Sequence, residues 1–212
     1  MAATEILLRV RDYDLAATLD SGQSFRWQRV PERGRPAREF QDHAGEPPAL
    51  LLDSWIGIIG KHGVQLTQTP DGIHATAPTP VEDWDWLRQF LQTEIDLATV
   101  LKTFPDDEPM RAAVAACSGL RLLKQDPWEC LASFILSSTK QIVQIRQIIA
   151  LICERFGEPI NCSVEPVARP DSATGRTLQF SFPTPQRLAA STEAELRACK
   201  MGFRAPSLLA AA

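Results

Sequence analysis

The sequence predicts an α+β protein in which a β-rich amino-terminal part precedes an all-helical part. Short runs of β-branched and apolar residues, separated by glycine and proline turns, extend to Ala77 and are typical of an antiparallel sheet. After Pro78, Thr79 and Pro80, apolar residues recur at spacings of three and four, which is the period of an α-helix. Strands followed by helices in this way indicate an α+β fold.

Six segments carry the strand pattern, and turn residues separate most of them. Ser21 and Gly22 form a turn before the second segment, residues 60–63 separate the fourth from the fifth, and residues 70–72 precede the sixth. Residues 31–48 contain four prolines and two glycines, which is typical of a surface loop. The strands are therefore predicted at 4–10, 24–30, 50–53, 55–60, 64–69 and 72–77.

Helical spacing continues through most of the remaining chain. It predicts helices at 84–91, 97–101 and 108–117, two short helices at 185–190 and 192–201, and the start of another at 203–212. The longest helical pattern covers residues 124–157, which we expect to form two helices joined by a polar break at 137–141. Residues 158–175 are irregular, and residues 178–182 are expected to be extended.

Capping residues mark the ends of the two central helices. Asp126 is expected to cap the first helix, with Pro127 in its first turn and Glu129 completing a capping box. Ser138 is expected to cap the second, with Gln141 in the reciprocal position, and Gly157 to end it as a C′ glycine. The predicted apolar faces are Trp128, Leu131, Phe134 and Ile135 in the first helix, and Ile142, Ile145, Ile148, Ile149 and Ile152 in the second.

Composition describes an ordinary globular chain, with 44% hydrophobic and 23% charged residues among 212. No run of about 18 apolar residues is present, so no membrane span is predicted. The first residues lack the order of a signal peptide, and the five cysteines form no CxxC pair. We therefore expect an intracellular protein, cytoplasmic or in the nucleoid or nucleus, with reduced thiols.

Charge and motifs give no direct sign of the chemistry. The net charge of −4 lacks the basic excess that is usual for nucleic-acid binding. No HExxH, GxGxxG, P-loop or GxSxG motif occurs, and the three histidines are scattered, so we predict no metal and no cofactor. The acidic groups at 82–85 and 106–108 fall in the opening turns of helices, where capping and the helix dipole explain them.

Three ordered stretches carry a resemblance to a known family. They are SGQSFRW at 21–27, LLKQDPWECLASFILSS at 122–138 and MGFRA at 201–205; PTP at 78–80 fits as well. The chain resembles the 8-oxoguanine DNA glycosylases of the helix-hairpin-helix superfamily. The resemblance implies a sheet domain like that of the TATA-binding protein at 1–122, and the first part of a helical glycosylase domain at 123–212. We expect the fold to be antiparallel sheet packed on helices.

The resemblance also implies an activity. Such enzymes act in base-excision repair, flipping an oxidised guanine out of damaged double-stranded DNA, removing it as an N-glycosylase and cleaving the abasic site as a lyase. We expect a monomer without membrane association. In the family, the glycine that corresponds to Gly22 accepts the extra N–H of the oxidised base on its backbone carbonyl. The other interpretation is a turn glycine without a ligand. Arg26 and Trp27 are expected to be structural.

The polar break corresponds to an asparagine run that fills the gap left by the flipped base. Here the equivalent residues are Thr139, Lys140 and Gln141, and Gln144 replaces an arginine that contacts the orphaned cytosine. Thr139 lacks an amide's paired donor and acceptor, and Gln144 lacks the guanidinium charge, so strict preference for cytosine is in doubt. Lys140 is expected either to contact a phosphate or to be a solvated helix-start charge.

Gly202, Phe203 and Arg204 match the family's Gly-Tyr-Arg motif. The match implies that Phe203 is a wedge beside the unpaired base and that Arg204 contacts the orphaned cytosine. The alternative is a turn between helices with a buried aromatic residue. Lys200 precedes the motif, and we expect an exposed surface lysine rather than a substitute nucleophile.

In the family, the nucleophilic lysine and an assisting aspartate lie downstream of Gly-Tyr-Arg. Neither has a counterpart in the 212 residues, so no catalytic residue is assigned here, and we expect a truncated chain that is inactive alone. Two further interpretations stay open: a non-catalytic protein that binds damaged DNA or acts as a scaffold, and a relative that acts on alkylated bases.

Overall fold

The computed structural model describes residues 3–30, 54–138, 141–160 and 180–212. The loop predicted at 31–48, the strand predicted at 50–53 and the candidate site residues Thr139 and Lys140 lie outside the described residues. So do most of the irregular segment and the first part of the extended segment predicted before Phe182.

A five-stranded antiparallel sheet forms the amino-terminal part, in the order β1-β5-β4-β3-β2. The hairpins β3–β4 and β4–β5 use the predicted turns at Gly60 and Gly72, whose positive φ angles of 59° and 140° favour glycine. The α+β fold is therefore confirmed. The strands are β1 Ala3–Leu8, β2 Trp27–Val30, β3 Ser54–Ile59, β4 His62–Thr69 and β5 Gly72–Val81.

A short helix that the sequence analysis missed, α1 (Leu15–Asp20), lies between β1 and β2. Asp14 caps it, because its Oδ1 accepts a hydrogen bond from the backbone N–H of Ala17 at 2.7 Å. Leu15 and Leu19 are buried in the hydrophobic cluster of the sheet. The helix fastens the start of the turn at Ser21 and Gly22 to the core.

The helical part follows the predicted order. The central pair is α5 (Pro127–Ser137) and α6 (Ile142–Phe156). None of the helices in the described residues has the length and apolar character needed to cross a membrane. The remaining helices are α2 Asp85–Leu91, α3 Leu97–Leu101, α4 Glu108–Ala116, α7 Pro185–Ala189, α8 Glu193–Leu196 and α9 Ala205–Ala211, with a π-helical segment Arg197–Met201 and a 3-10 turn Gly202–Arg204 between the last two.

The caps of the central pair are partly as predicted. Asp126 caps α5, since its Oδ1 accepts from the N–H of Glu129 at 2.9 Å. The side chain of Glu129 turns instead toward Arg26, so the predicted capping box is absent. The prediction that Ser138 caps α6 was wrong: Ser138 ends α5, and Gln141 is the N-cap, with Gln144 Oε1 accepting from its N–H at 3.4 Å.

The apolar face predicted for α5 was partly wrong, although Trp128 and Ile135 do pack against the helical core. Leu131 and Phe134 are 46% and 74% exposed, whereas Ala132, Ser133 and Leu136 are buried. Apolar residues lie on both sides of this helix, so spacings of three and four fit either face. The stripe of α6 is confirmed from Ile145 onward, and Ile142 is exposed.

Gly157 ends α6, but not as the left-handed C′ glycine that was predicted. It is the C-cap, with φ of −80° and ψ of 168°. Glycine is needed there for space, because a Cβ atom would lie 2.1 Å from the carbonyl oxygen of Ser181 and 2.5 Å from that of Cys153. The backbone of residue 181 therefore packs directly on the end of α6.

Two large hydrophobic clusters underlie the two parts of the molecule. One lies between the sheet, α1 and α2, and includes Trp27, Leu66 and Leu91. The other lies among α5, α6 and the helices after residue 185, and includes Ile149 and Leu208. Leu123 belongs to the first cluster and Ala132 to the second, which supports our proposal of a domain boundary close to residue 122.

Candidate functional site

Gly22 lies in a turn that is fastened to the segment before α5. Its φ is +83°, and no atom lies within 4 Å of where a Cβ would be. The neighbouring Gln23 makes the attachment: its Oε1 accepts from the N–H of Leu123 at 2.9 Å, and its carbonyl accepts from Gln125 Nε2 at 2.7 Å. In the described part of the chain no hydrogen bond reaches the carbonyl of Gly22, which leaves it available as an acceptor.

Arg121 anchors the segment before α5, to which the turn at Gly22 is attached. Its buried guanidinium donates to the carbonyls of Ile95 at 2.7 Å and of Arg11 and Asp12 at 3.1 Å each. It also lies 5.4 Å from the ring centre of Tyr13, whose pKa is raised by burial. Nothing in the sequence distinguishes Arg121, because its acceptors are backbone carbonyls about 26 to 110 residues away.

Arg26 connects the sheet to the helical part, in agreement with the structural role expected for it. Its side chain is 1% exposed, donates from Nη2 to the carbonyl of Phe180 and lies 3.5 Å from the carboxylate of Glu129. Burial raises the pKa of Glu129, and the positive charge of Arg26 opposes part of that rise. The pair keeps α5 in a fixed position relative to the turn at Gly22.

At the other end of α5, Arg204 closes the joint between the two central helices. The guanidinium is buried, donates from Nε to Ser138 Oγ at 3.2 Å and donates from Nη2 to the Ser138 carbonyl. These contacts link the 202–204 turn to the C-cap of α5. The contact of Arg204 with an orphaned cytosine stays a prediction.

Phe203 projects from this turn and is 68% exposed. The guanidinium of Arg204 lies 4.4 Å from the centre of its ring, within the range of a cation–π contact. Residues two to four positions away are buried: Cys199, Met201 and Ala205 belong to the helical cluster. The alternative of a turn with a buried aromatic residue is therefore wrong for Phe203.

Gln144 lies in the exposed first turn of α6. Its side-chain oxygen accepts from the N–H of Gln141 at 3.4 Å, so the residue acts as part of the helix cap. The sequence contained this signal, since Gln141 and Gln144 have the spacing of a capping box. Lys200 is exposed, as expected.

The described contacts fall into two groups. The first group contains the turn at Gly22 and residues 121–125, immediately before α5. The second group contains Ser138, Phe203 and Arg204, at the carboxyl end of α5. A helix of this length is about 16 Å long. Helix α5 therefore joins the two groups. Among the described residues, no three His, Cys, Asp or Glu side chains lie together as a metal site would require.

The class of protein follows from the family comparison, which assigns the chain to the DNA glycosylases, and the fold agrees with it. The model of the 8-oxoguanine DNA glycosylase N-terminal domain matches residues 5–131, and the chain belongs to the 8-oxoguanine DNA glycosylase family.

Individual relatives agree with this assignment. The chain is 30% identical over 200 residues to an N-glycosylase/DNA lyase of Saccharomyces cerevisiae and 28% identical over 206 residues to an N-glycosylase/DNA lyase of Arabidopsis thaliana, covering 92% and 90% of this chain and 47% and 45% of those proteins. The solved 8-oxoguanine glycosylase/lyase of Clostridium acetobutylicum shares the fold, with a TM-score of 0.73 at 24% identity over 95% of this chain and 59% of that one. The chain thus spans about half the length of the curated relatives it matches.

Proposed function

We propose that this chain forms the base-recognition and strand-separating part of a DNA N-glycosylase with abasic-site lyase activity that acts on 8-oxoguanine. Its substrate would be damaged double-stranded DNA, bound by a monomer inside the cell. Family membership supports the activity. The 8-oxoguanine glycosylase/lyase of Clostridium acetobutylicum has been solved with double-stranded DNA that contains cytosine opposite 8-oxoG, which supports the choice of partner.

The observation that carries the proposal is the exposure of Phe203 on an anchored turn. A large aromatic side chain that is 68% exposed loses the favourable burial that its neighbours Met201 and Ala205 have. A protein that separates stacked bases needs a rigidly mounted apolar wedge, because unstacking a base step costs a few kcal/mol. The cation–π contact with Arg204 and the burial of the flanking residues provide such a mount.

Gly22 would receive the flipped base. The left-handed backbone at φ +83° and the open space where a side chain would start allow a planar base to approach the main chain closely. The free carbonyl would accept the additional N–H that distinguishes 8-oxoguanine from guanine. The hydrogen bonds of Gln23 to residues 123 and 125 hold this acceptor in place before any ligand binds.

The joint after α5 would meet the strand that keeps the orphaned base. Thr139 and Lys140 are proposed to fill the gap and to contact phosphate, respectively, on the strength of the sequence resemblance alone. Gln144 would present a neutral amide where the family has a guanidinium. Because an amide forms weaker contacts than a charged bidentate group, we propose relaxed selectivity for the base opposite the lesion.

The nucleophilic lysine and its assisting aspartate have no counterpart among the 212 residues on the sequence resemblance. In such a mechanism the lysine amine attacks C1′ of the sugar, the base leaves, and the resulting Schiff base permits strand cleavage. The chain would supply the lesion acceptor at Gly22, the wedge at Phe203 and the fixed joint held by Arg204. It would not supply the nucleophile.

The first experiment measures binding by fluorescence anisotropy of a labelled duplex with one 8-oxoguanine opposite cytosine, and of the same duplex with guanine. We expect the 212-residue chain to prefer the damaged duplex. Phe203→Ala should weaken binding about tenfold, because stacking on an aromatic side chain contributes roughly 1–3 kcal/mol per base. Phe104→Ala is the matched control, since Phe104 is also exposed, at 42%, but lies at the end of α3.

A second experiment tests where the nucleophile lies. Borohydride reduction of a mixture of the 212-residue chain and 8-oxoguanine duplex should give no covalent adduct, because the matching lysine is absent. A trapped adduct would show that a lysine of this chain acts as the nucleophile, and Lys200→Ala would then identify or exclude Lys200.

In the binding experiment, equal affinity for damaged and undamaged duplex, unchanged by Phe203→Ala, would overturn the proposed function.

A further inference from the structure

Lys200 has a backbone conformation that lysine disfavours. Its φ is +64° and its ψ is 19°, which is the left-handed region. Among the described residues, two other non-glycine residues have positive φ, Asp12 and Gln92. Asp tolerates this region because its short polar side chain can bond locally, and Gln92 ends helix α2 with its N–H bonded to the carbonyls of Arg88 and Gln89.

The position of Lys200 at the end of a helical segment explains its left-handed backbone, but not why the residue is a lysine. The helical segment that starts at Glu193 kinks at Cys199 and Lys200, and a left-handed residue is the usual means of ending a helix. Glycine takes that position without strain in most proteins. A residue type that strains the backbone, at the turn proposed to separate DNA strands, indicates that its side chain has a use there.

Among the described residues, the ammonium group of Lys200 has no carboxylate partner. Cys199 and Met201, on either side, are 2% and 0% exposed, so the backbone is anchored while the lysine side chain is exposed. Within the described part of the chain, no carboxylate lies within 4 Å of its ammonium group. The two acidic residues of the same helical segment pair with arginines, Glu193 with Arg197 at 2.6 Å and Glu195 with Arg155 at 3.6 Å.

We propose that Lys200 contacts a backbone phosphate of the DNA strand into which Phe203 inserts. The inference rests on the proposed function, because Phe203 marks the place of the DNA. Lys200 precedes Phe203 by three residues, at the kink that leads into the 202–204 turn. An ammonium on a flexible four-carbon stem suits a phosphate as a point charge and needs no fixed orientation. Phosphate contacts of this kind fix the position of a protein on the duplex and carry no sequence information.

The test measures binding of the 212-residue chain to the 8-oxoguanine duplex over a range of salt concentrations. Lys200→Gly keeps the left-handed backbone and removes the strain, so the melting temperature should not fall. Loss of one phosphate contact should reduce the slope of log K against log salt concentration by about 0.9, and the affinity roughly eightfold at 0.1 M salt. Lys200→Arg should keep both the wild-type salt slope and the wild-type affinity.

Two controls separate the possible outcomes. Lys102→Ala removes the same charge from exposed Lys102 at the end of α3 and should leave the slope unchanged. If Lys200→Gly keeps the wild-type slope while Phe203→Ala loses affinity, the inference is overturned and the proposed function stands. Equal losses for the two lysine variants would mean a general charge effect and would also overturn it. A wild-type chain that binds no duplex would overturn both.

Discussion

Arg204 donates from Nε to the hydroxyl of Ser138 at 3.2 Å and from Nη2 to the carbonyl of the same residue. Ser138 ends helix α5, where carbonyl groups lack partners within the helix. The guanidinium supplies these donors and at the same time lies against the ring of Phe203. One buried side chain therefore connects the joint after α5 to the exposed aromatic residue, and the two parts of the proposed site cannot shift independently.

Removing that guanidinium should destabilise the protein. Arg204→Ala removes a buried guanidinium and its hydrogen bonds to Ser138, and because hydrogen bonds to charged groups are stronger than neutral ones we expect the free energy of unfolding to fall by about 2–3 kcal/mol in urea titrations. Arg204→Lys keeps the charge but not the two-point contact, so its loss should be smaller. Arg197→Ala, which removes an exposed arginine paired with Glu193, should change stability by less than about 1 kcal/mol. Equal losses for the two alanine variants would contradict the role assigned to Arg204.

Local patterns predicted the sheet well. Alternation and turn residues located β3 and β4 to within two residues and the start of β5, because the glycines at 60 and 72 adopt positive φ; β5 ends four residues later than predicted, at Val81. The same approach missed α1, whose six residues are too short to show a helical period. It also assigned Leu131 and Phe134 to the buried face of α5, because which apolar residues are buried depends on the elements that pack against the helix.

The contacts that assemble the proposed site could not be predicted locally. Arg204 and Ser138 are 66 residues apart, and Arg26 and Phe180 are 154 apart. Both arginines donate to backbone carbonyls, which every residue has, so the sequence contains no complementary signal. The short motifs around Gly22 and Phe203 predicted the proposed site through resemblance, and the structure shows the contacts that hold each of them in place.

Glu129 should make stability depend on pH. Burial raises its pKa above the ordinary value of 4.5, so the folded protein binds a proton that the unfolded chain has already released. The free energy of unfolding should therefore decrease as the pH rises from about that value through the raised pKa. Glu129→Gln removes the titrating group and should flatten this part of the profile, measured by chemical denaturation between about pH 4 and 8.

Glu195 provides a control of opposite sign. Hydrogen bonds from the backbone and side chain of Thr192 lower the pKa of Glu195. Its contribution to the free energy of unfolding is therefore present when the pH is above the ordinary pKa of a glutamate, and it is lost as the pH falls through the lowered pKa. Glu195→Gln should therefore reduce acid sensitivity and leave the decrease assigned to Glu129 intact. If Glu129→Gln keeps the wild-type slope above pH 5, a different group causes the dependence.

Two glycines should respond differently to alanine. At Gly157 the added Cβ would lie 2.1 Å from the carbonyl oxygen of Ser181, which backbone packing cannot accommodate without a shift. We expect Gly157→Ala to cost about 3 kcal/mol, by the measure of overpacked cores. At Gly22 the space is open and only the left-handed φ of +83° is unfavourable, so Gly22→Ala should cost about 1–2 kcal/mol.

The same pair of variants separates stability from recognition. Gly22→Ala should abolish the preference for the 8-oxoguanine duplex over the guanine duplex, because a methyl group would lie where the base approaches the carbonyl. Gly157→Ala, if it folds at lower temperature, should keep that preference. Thermal melting and anisotropy on the same samples give both quantities. An unchanged preference in Gly22→Ala would remove Gly22 from the proposed site.

Gln144 should limit selectivity for the base opposite the lesion. It is a neutral amide whose oxygen already accepts from the N–H of Gln141, so only its uncharged NH2 group remains to donate to an orphaned cytosine. Gln144→Arg introduces five donors in a planar fork and a full charge, and should raise the ratio of affinities for duplexes with cytosine and adenine opposite 8-oxoguanine. Losing the bond to Gln141 should cost about 0.5–1 kcal/mol of stability.

The control for charge is Gln147→Arg, which adds the same residue type one turn further along α6. Added charge alone strengthens binding to both duplexes equally, because it acts on phosphates and reads no base. Only a side chain that reaches the orphaned base changes the ratio. Competition titrations with two labelled duplexes that differ in the opposite base measure that ratio directly. If Gln147→Arg and Gln144→Arg raise it equally, or neither does, the position of Gln144 opposite the orphaned base is wrong.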